Sequence, residues 1–287
     1  MKVGLSTYSL SRAIKAEQLD VIGAIQWIAD NGGEHVEISP AGFTLTDNDS
    51  LVKAIVAKAQ AVNLEISSYT IGAQFIQPTA SDLEHEITRL KKEVDIAHAL
   101  GVKLMRHDAA SRPAAETSLE QFEADLPKVA DACAQIADYA QQYGITTSVE
   151  NHGLHLQNHE RVQRLINTVN RDNFKTTLDI GNFICVDEIP LIAAKKNLPY
   201  ASMVHAKDFH LKPSTQSPGE GWNRTPNGNY WRGAIVGHGD IQAERIIEMI
   251  KASGYDGYIS VEFEGLEDCF LGSRVGMANV KKYWNNL

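Results

Sequence analysis

Cysteine is scarce in this chain. Only Cys133, Cys185 and Cys269 occur in 287 residues, widely scattered and without a CxxC spacing. They read as structural thiols in a reducing compartment. Positive charge is also in deficit: 27 Lys and Arg stand against 36 Asp and Glu, a formal net charge of −9. A general nucleic-acid or membrane-surface binder needs a basic face and is therefore not expected. No apolar run approaches membrane-spanning length, and the opening MKVGLSTYSL is too short and too polar for a signal h-region. A cytoplasmic protein is the expectation. No linker or composition shift interrupts residues 1–287, so a single domain is expected.

What the chain does have is strand followed by helix, eight times over. The strands begin with VGLSTYS, EHVEIS, LEISSY and VKLMRHD. Between them lie helical patterns over about 19–31, 47–62, 81–100 and 118–143, the third with Ser81 as its expected cap and Glu84 in the capping-box position. ITTSVENHG, KTTLDIGN, ASMVHAKD and a strand at 256–263 supply the rest, with helices near 158–169, 187–197, 241–253 and at the C-terminus. Residues 211–240 are rich in Gly, Pro, Ser and Asn and hold two of the four tryptophans, Trp222 and Trp231. They read as a long loop, a lid that is mobile without ligand. Repeated strand–helix units call for a parallel sheet, and at this length the natural closure is a (β/α)₈ TIM barrel. A doubly wound sheet would want a phosphate-binding glycine fingerprint after its first strand, and GLSTYSLSR has none.

Side-chain parity along those strands singles out four polar groups. In ITTSVENHG, Ile145, Thr147 and Val149 share one face, while Ser148, Glu150 and His152 share the other. Asp179, His205 and Glu262 recur near the ends of the next three strands. A barrel brings strand C-terminal ends together at one mouth. Two Glu, one Asp and one His form a hard, oxygen-rich set suited to one divalent ion, Mn²⁺ first, with Mg²⁺, Co²⁺ or Zn²⁺ compatible. Around them, Glu37, His107, His152, Lys207 and Arg232 are the candidates for binding substrate. His107 is taken as site-facing at the end of the fourth strand, beside Arg106 and Asp108.

The motifs ENHG (150–153), DIGN (179–182), HAKD (205–208), GHGDI (237–241) and SVEFEG (260–265) appear in that order on successive strand ends. In this the chain resembles the xylose isomerase-like sugar isomerase/epimerase superfamily of metal-dependent TIM barrels. The resemblance implies that Glu150, Asp179, His205 and Glu262 hold one metal ion. It also implies that Glu150 and Glu262 flank the substrate carbon and move protons. Three positions depart from the ketose 3-epimerase pattern, with Asn182, Leu156 and Leu211 where that pattern has His, Glu and Arg. Arg232, just before GHGD, is positioned to replace the Arg.

Such a site would isomerise or epimerise a small sugar or sugar phosphate by proton transfer through a metal-stabilised enediolate. Lys207, His107 and Arg232 would bind hydroxyls or a phosphate. The same site could expel a β-leaving group, as a lyase or dehydratase of a keto-sugar or inosose. An abasic-site endonuclease shares the barrel but wants more metal ligands and a basic rim. A non-catalytic sugar-binding protein would not need the full quartet. The expected partner is a small carbohydrate rather than nucleic acid or membrane, and homo-oligomerisation is compatible with this reading.

Overall fold

Short strands with aliphatic side chains on one face and small or polar ones on the other sort themselves between helices and barrel interior. The computed structural model describes residues 1–286. The first half of the chain forms β1 (Lys2–Ser6), α1 (Ser11–Lys15), α2 (Val21–Asp30), β2 (His35–Ile38), α3 (Asp49–Ala61), β3 (Glu65–Ile71), α4 (Ala80–Ala99), β4 (Leu104–His107) and α5 (Leu119–Gln141). Then come β5 (Thr146–Glu150), α6 (His159–Val169), β6 (Phe174–Asp179), α7 (Pro190–Asn197) and β7 (Ala201–Ala206). The chain continues through β8 (Asp208–Lys212), β9 (Asn223–Arg224), β10 (Tyr230–Ala234), α8 (Ala243–Ala252), β11 (Tyr258–Val261) and α9 (Cys269–Asn285).

Strands β1 to β7 and β11 close into one parallel barrel, in the order β1-β11-β7-β6-β5-β4-β3-β2. With helices between successive strands, this is a (β/α)₈ TIM barrel. Val3, Leu5, Val36, Ile38, Val149, Leu178, Val204, Ile259 and Val261 are buried among the helices. Ser6, Ser68, Thr70, Ser148, Thr177 and Ser260 are equally buried. Cross-strand bonds such as Ser148 Oγ to Thr177 Oγ1 (2.8 Å) satisfy part of this polar set. The barrel interior is therefore polar near the mouth, where a site can be built. Register shifts between Val36 and Glu37 and between Thr176 and Thr177 re-aim side chains on two strands that feed it.

Helix starts follow side-chain caps. Asp20, Asn48, Ser118 and Asp268 each accept a backbone N–H from the first turn of the helix they precede. The α4 cap is Thr79, not Ser81: its hydroxyl accepts from Asp82 N, so the helix begins two residues earlier than the capping-box pattern suggested. The first strand stops at Ser6, and Thr7–Leu10 turns into a 3₁₀ helix that carries Tyr8 over the mouth. The segment before α7 divides likewise, with a 3₁₀ turn at Asn182–Val186.

The larger surprise lies after β7. Instead of a long loop, β8, β10 and β9 form an antiparallel sheet. Asp208 anchors its base by accepting backbone N–H groups from Phe209 (2.8 Å), Gly237 (2.8 Å) and Gly239 (3.0 Å). Gly239 is required there, because a Cβ would come within 2.1 Å of the Asp208 carboxylate. Gly233 lets β10 lie against Glu264, whose carbonyl would be 2.5 Å from an added Cβ. Among the described residues, no helix is long and apolar enough to cross a membrane.

Candidate metal centre and active site

Glu150 closes β5, Asp179 closes β6, His205 lies one residue before the end of β7, and Glu262 follows β11. Neighbouring register sets Asp179 opposite His205 and Ser260 opposite His205, so the four side chains reach the same depth of one mouth. One ligand atom from each lies within 4.8 Å of the others, and all four residues are buried.

Two atoms in this group lack hydrogen-bond partners. Asp179 Oδ1 is fixed by the N–H groups of Gly181 (2.7 Å) and Asn182 (2.8 Å), which leaves Oδ2 unmatched. His205 Nε2 is engaged by Glu37 at 3.0 Å, which leaves Nδ1 unmatched. Nδ1 lies 3.6 Å from Glu150 and 3.5 Å from Glu262, too long for well-made hydrogen bonds. Buried polar atoms are rarely left unpartnered. Two of them facing carboxylates in a hard donor set are what a bound divalent cation would satisfy, so the residues fit one.

The surroundings tune these groups. Burial disfavours charge on Glu150, but Arg106 foremost, then Lys207 and His205, hold its carboxyl well below the ordinary range. Arg106 reaches Glu150 at 2.6 Å and Asp108 at 2.8 Å. Burial lifts the Asp179 carboxyl to about 7, with Lys207 pulling the other way. Lys207 is itself buried, and Glu262, Glu264, Asp179 and Glu150 keep its ammonium charged against desolvation. Its Nζ stands 2.9 Å from Glu262 and 3.5 Å from Asp179, at the edge of the ligand cradle. Tyr8 is pushed up to about 12, first by burial and then by Glu264, to which it donates at 3.3 Å.

A cavity of about 280 Å³ opens above the ligands, lined by Tyr8, Ser39, Arg106, His152, Lys207 and Glu264 among others. A cleft of about 390 Å³ lies elsewhere, between α7 and the small sheet, but contains none of the four ligands. Of the four candidate ligands, Glu150 and Glu262 line the smaller cavity.

A model of the xylose isomerase-like TIM barrel matches residues 25–278. The chain belongs to that family. Inosose dehydratase 1 of Bacillus cereus is 24% identical over 214 residues, covering 70% of each chain. Among solved structures, the probable 3-DHS dehydratase AsbF from Bacillus anthracis superposes with a TM-score of 0.74 at 18% identity over the whole of both chains. The 3-keto-D-glucoside 4-epimerase YcjR from E. coli does so with a TM-score of 0.73 at 15% identity, over 98% of this chain and 99% of that one.

Within this xylose isomerase-like barrel the remaining candidates separate. Lys207 and His152 line the cavity, and His152 is half-exposed at the rim, 3.2 Å from Asp108. Glu37 sits fully buried behind His205, where it fixes the imidazole rather than lining the cavity. Arg232 is on β10, 5.4 Å from the Trp222 ring, and does not line the cavity.

His107 corrects the expectation most sharply. Its ring lies 5.8 Å from Phe75 and 6.1 Å from Phe174, and its Nδ1 is 2.7 Å from the Asp108 carbonyl. Register explains it: Arg106 pairs with Ser148 and Thr70 in the inward row, so His107 must point out toward the helices. Arg106 thus takes the place assigned to His107. Asn182 was noted only as a departure from a family pattern, yet its Nδ2 donates to Glu150 at 2.9 Å.

Proposed function

We propose that this chain is a divalent-metal-dependent enzyme that moves protons on a small polyhydroxylated carbonyl compound, a sugar isomerase or epimerase. The observation that carries the reading is the convergence of Glu150, Asp179, His205 and Glu262, with two unmatched ligand atoms, beneath an open cavity that Glu150 and Glu262 line. Glu150, Asp179, His205 and Glu262 would hold the ion, which would polarise adjacent carbonyl and hydroxyl oxygens of the substrate. Mn²⁺ is the first choice for this donor set.

The protein's own groups divide the work. Glu150 is held ionised by Arg106 and is ready to accept a proton. Glu262 lies 3.5 Å from the same His205 Nδ1 that Glu150 approaches at 3.6 Å, and in its protonated form would return a proton to the opposite face or to the neighbouring carbon. The Lys207 ammonium, 2.9 Å from Glu262, would stabilise negative charge as it develops on a substrate oxygen. Glu37 keeps His205 oriented, and Tyr8 with His152 contacts hydroxyls at the rim.

A second reading is a lyase or dehydratase of a keto-sugar or inosose. The same proton abstraction would be followed by loss of the hydroxyl on the next carbon as water, with His152 supplying the proton. Its support is the 24% identity to an inosose dehydratase, together with His152 backed by Asp108 at the mouth.

Elemental analysis of the purified protein, followed by NMR of a keto-sugar panel in D₂O, tests both. We expect about one divalent ion per chain, with activity lost on chelation. Deuterium at a carbon of unchanged connectivity marks an isomerase or epimerase, and an unsaturated product marks the dehydratase. Full activity in a metal-free preparation would refute both readings.

A further inference from the structure

The small sheet carries a cationic face that the proposed chemistry does not use. Cross-strand neighbours in a sheet share a face. Arg232 pairs with His210, and Tyr230 pairs with both Lys212 and Arg224, so these five residues lie on one side. The opposite side holds Phe209, Leu211 and Trp231, with Phe209 and Trp231 in edge contact at 5.1 Å.

On this side two cations gather around Trp222. The Arg232 guanidinium lies 5.4 Å from its ring and Lys212 Nζ 6.0 Å, and the His210 ring packs 6.5 Å away. Arg224 follows, 4.7 Å over the Tyr230 ring. None of Lys212, Arg224, Arg232 and His210 forms an ion pair among the described residues, and Arg232 Nε is buried without a hydrogen-bond partner. Between residues 209 and 239 the only acid is Glu220, which is exposed; Asp187, Glu188 and Asp240 line a cleft with Lys212 but are engaged by Asn227 and Asn229, by His159 and by the Leu211 N–H. The ring faces of Trp222 and Tyr230 offset part of this charge, but no carboxylate neutralises it. In a chain of net charge −9, these cations could readily have been paired with carboxylates.

We infer that this face of the β8–β10–β9 sheet is an anion site, built to receive the phosphate or carboxylate group of a small molecule against Trp222 and Arg232. Arg232 offers a planar fork matched to such a group, and Lys212 adds a point charge. The site stands on its own geometry. Identifying its occupant as an acidic sugar, rather than a free anion, rests on the sugar-enzyme reading above.

The test titrates inorganic phosphate into the metal-loaded protein, labelled with 5-fluorotryptophan, with Trp222→Phe used to assign the resonance. A saturable shift of the Trp222 signal is expected, weakened at least tenfold in Arg232→Gln/Lys212→Gln. No saturable shift, or an equal shift in that variant, overturns the inference. Phosphorylated and unphosphorylated forms of one keto-sugar then separate the two sources. A substrate's own phosphate would displace inorganic phosphate, and its KM alone would rise in Arg232→Gln. A separate anion would bind together with the neutral sugar. The titration repeated on Glu150→Gln reads the anion site without turnover, so failure of the proposed enzymatic function leaves this result interpretable.

Discussion

His107 gives the reassigned barrel wall a quantitative test. The side chain is fully buried, and burial, the dominant effect, lowers its pKa from 6.5 to about 4 despite the Asp108 carbonyl beside it. As pH falls through 6.5 the unfolded chain takes up a proton at this position, while the folded chain refuses it until about pH 4. The unfolded state then binds more protons, so the contribution is intact above 6.5 and lost on acidification. Over the whole window, at about 1.4 kcal/mol per pH unit, it amounts to roughly 3 kcal/mol; from pH 7 to pH 5 it is roughly 2 kcal/mol.

His107→Leu removes the titration. It also removes the bond to Asp108, a loss of about 1 kcal/mol that is the same at every pH. Urea unfolding of the chelated protein at pH 7 and pH 5 should show wild type losing about 2 kcal/mol more than the variant. Parallel losses would mean that His107 is free to charge in the folded state, and the inward assignment of Arg106 would fall with it.

Two further outcomes follow from the cradle. Glu37→Gln takes away the carboxylate that fixes His205, so metal affinity measured by chelator competition should fall about 10–100-fold with the fold intact. Unchanged affinity would show that His205 needs no such support. Lys207→Met removes an ammonium 2.9 Å from Glu262, so metal should bind at least tenfold more tightly while turnover falls. Equal affinity would place that charge outside the cation's field.

How much of this was legible follows from local pattern. The eight strand–helix units and the four ligands could be read because each strand end shows clear alternation and the barrel supplies the convergence. Strand β4 was assigned the wrong face, because Leu104 and Met105 put apolar groups on both sides of a four-residue strand and parity alone does not choose between them. Only pairing of Arg106 with Ser148 decides it, and that is a non-local fact. The α4 cap was ambiguous because Thr79 and Ser81 each have an acid three residues on. The small sheet was missed because its strands pair across a Gly- and Pro-rich stretch, and turn residues there masked two short runs, DFHLK and YWRGA. Glu37 and Lys207 were legible as site-facing, but not that one would orient a ligand and the other would press on the cation.

The central claim is that Glu150 and Glu262 move protons on the substrate from opposite sides of one metal ion. It is tested most directly by following solvent deuterium into the substrate with wild type, Glu150→Gln and Glu262→Gln, each first shown to retain its metal. Wild type should place deuterium at the reacting carbon. Each variant should lose at least ~10² in kcat, the usual scale of a general base, together with exchange at the face its carboxylate serves. Turnover by the metal-loaded wild type with no solvent deuterium in the product would contradict the account and favour hydride transfer.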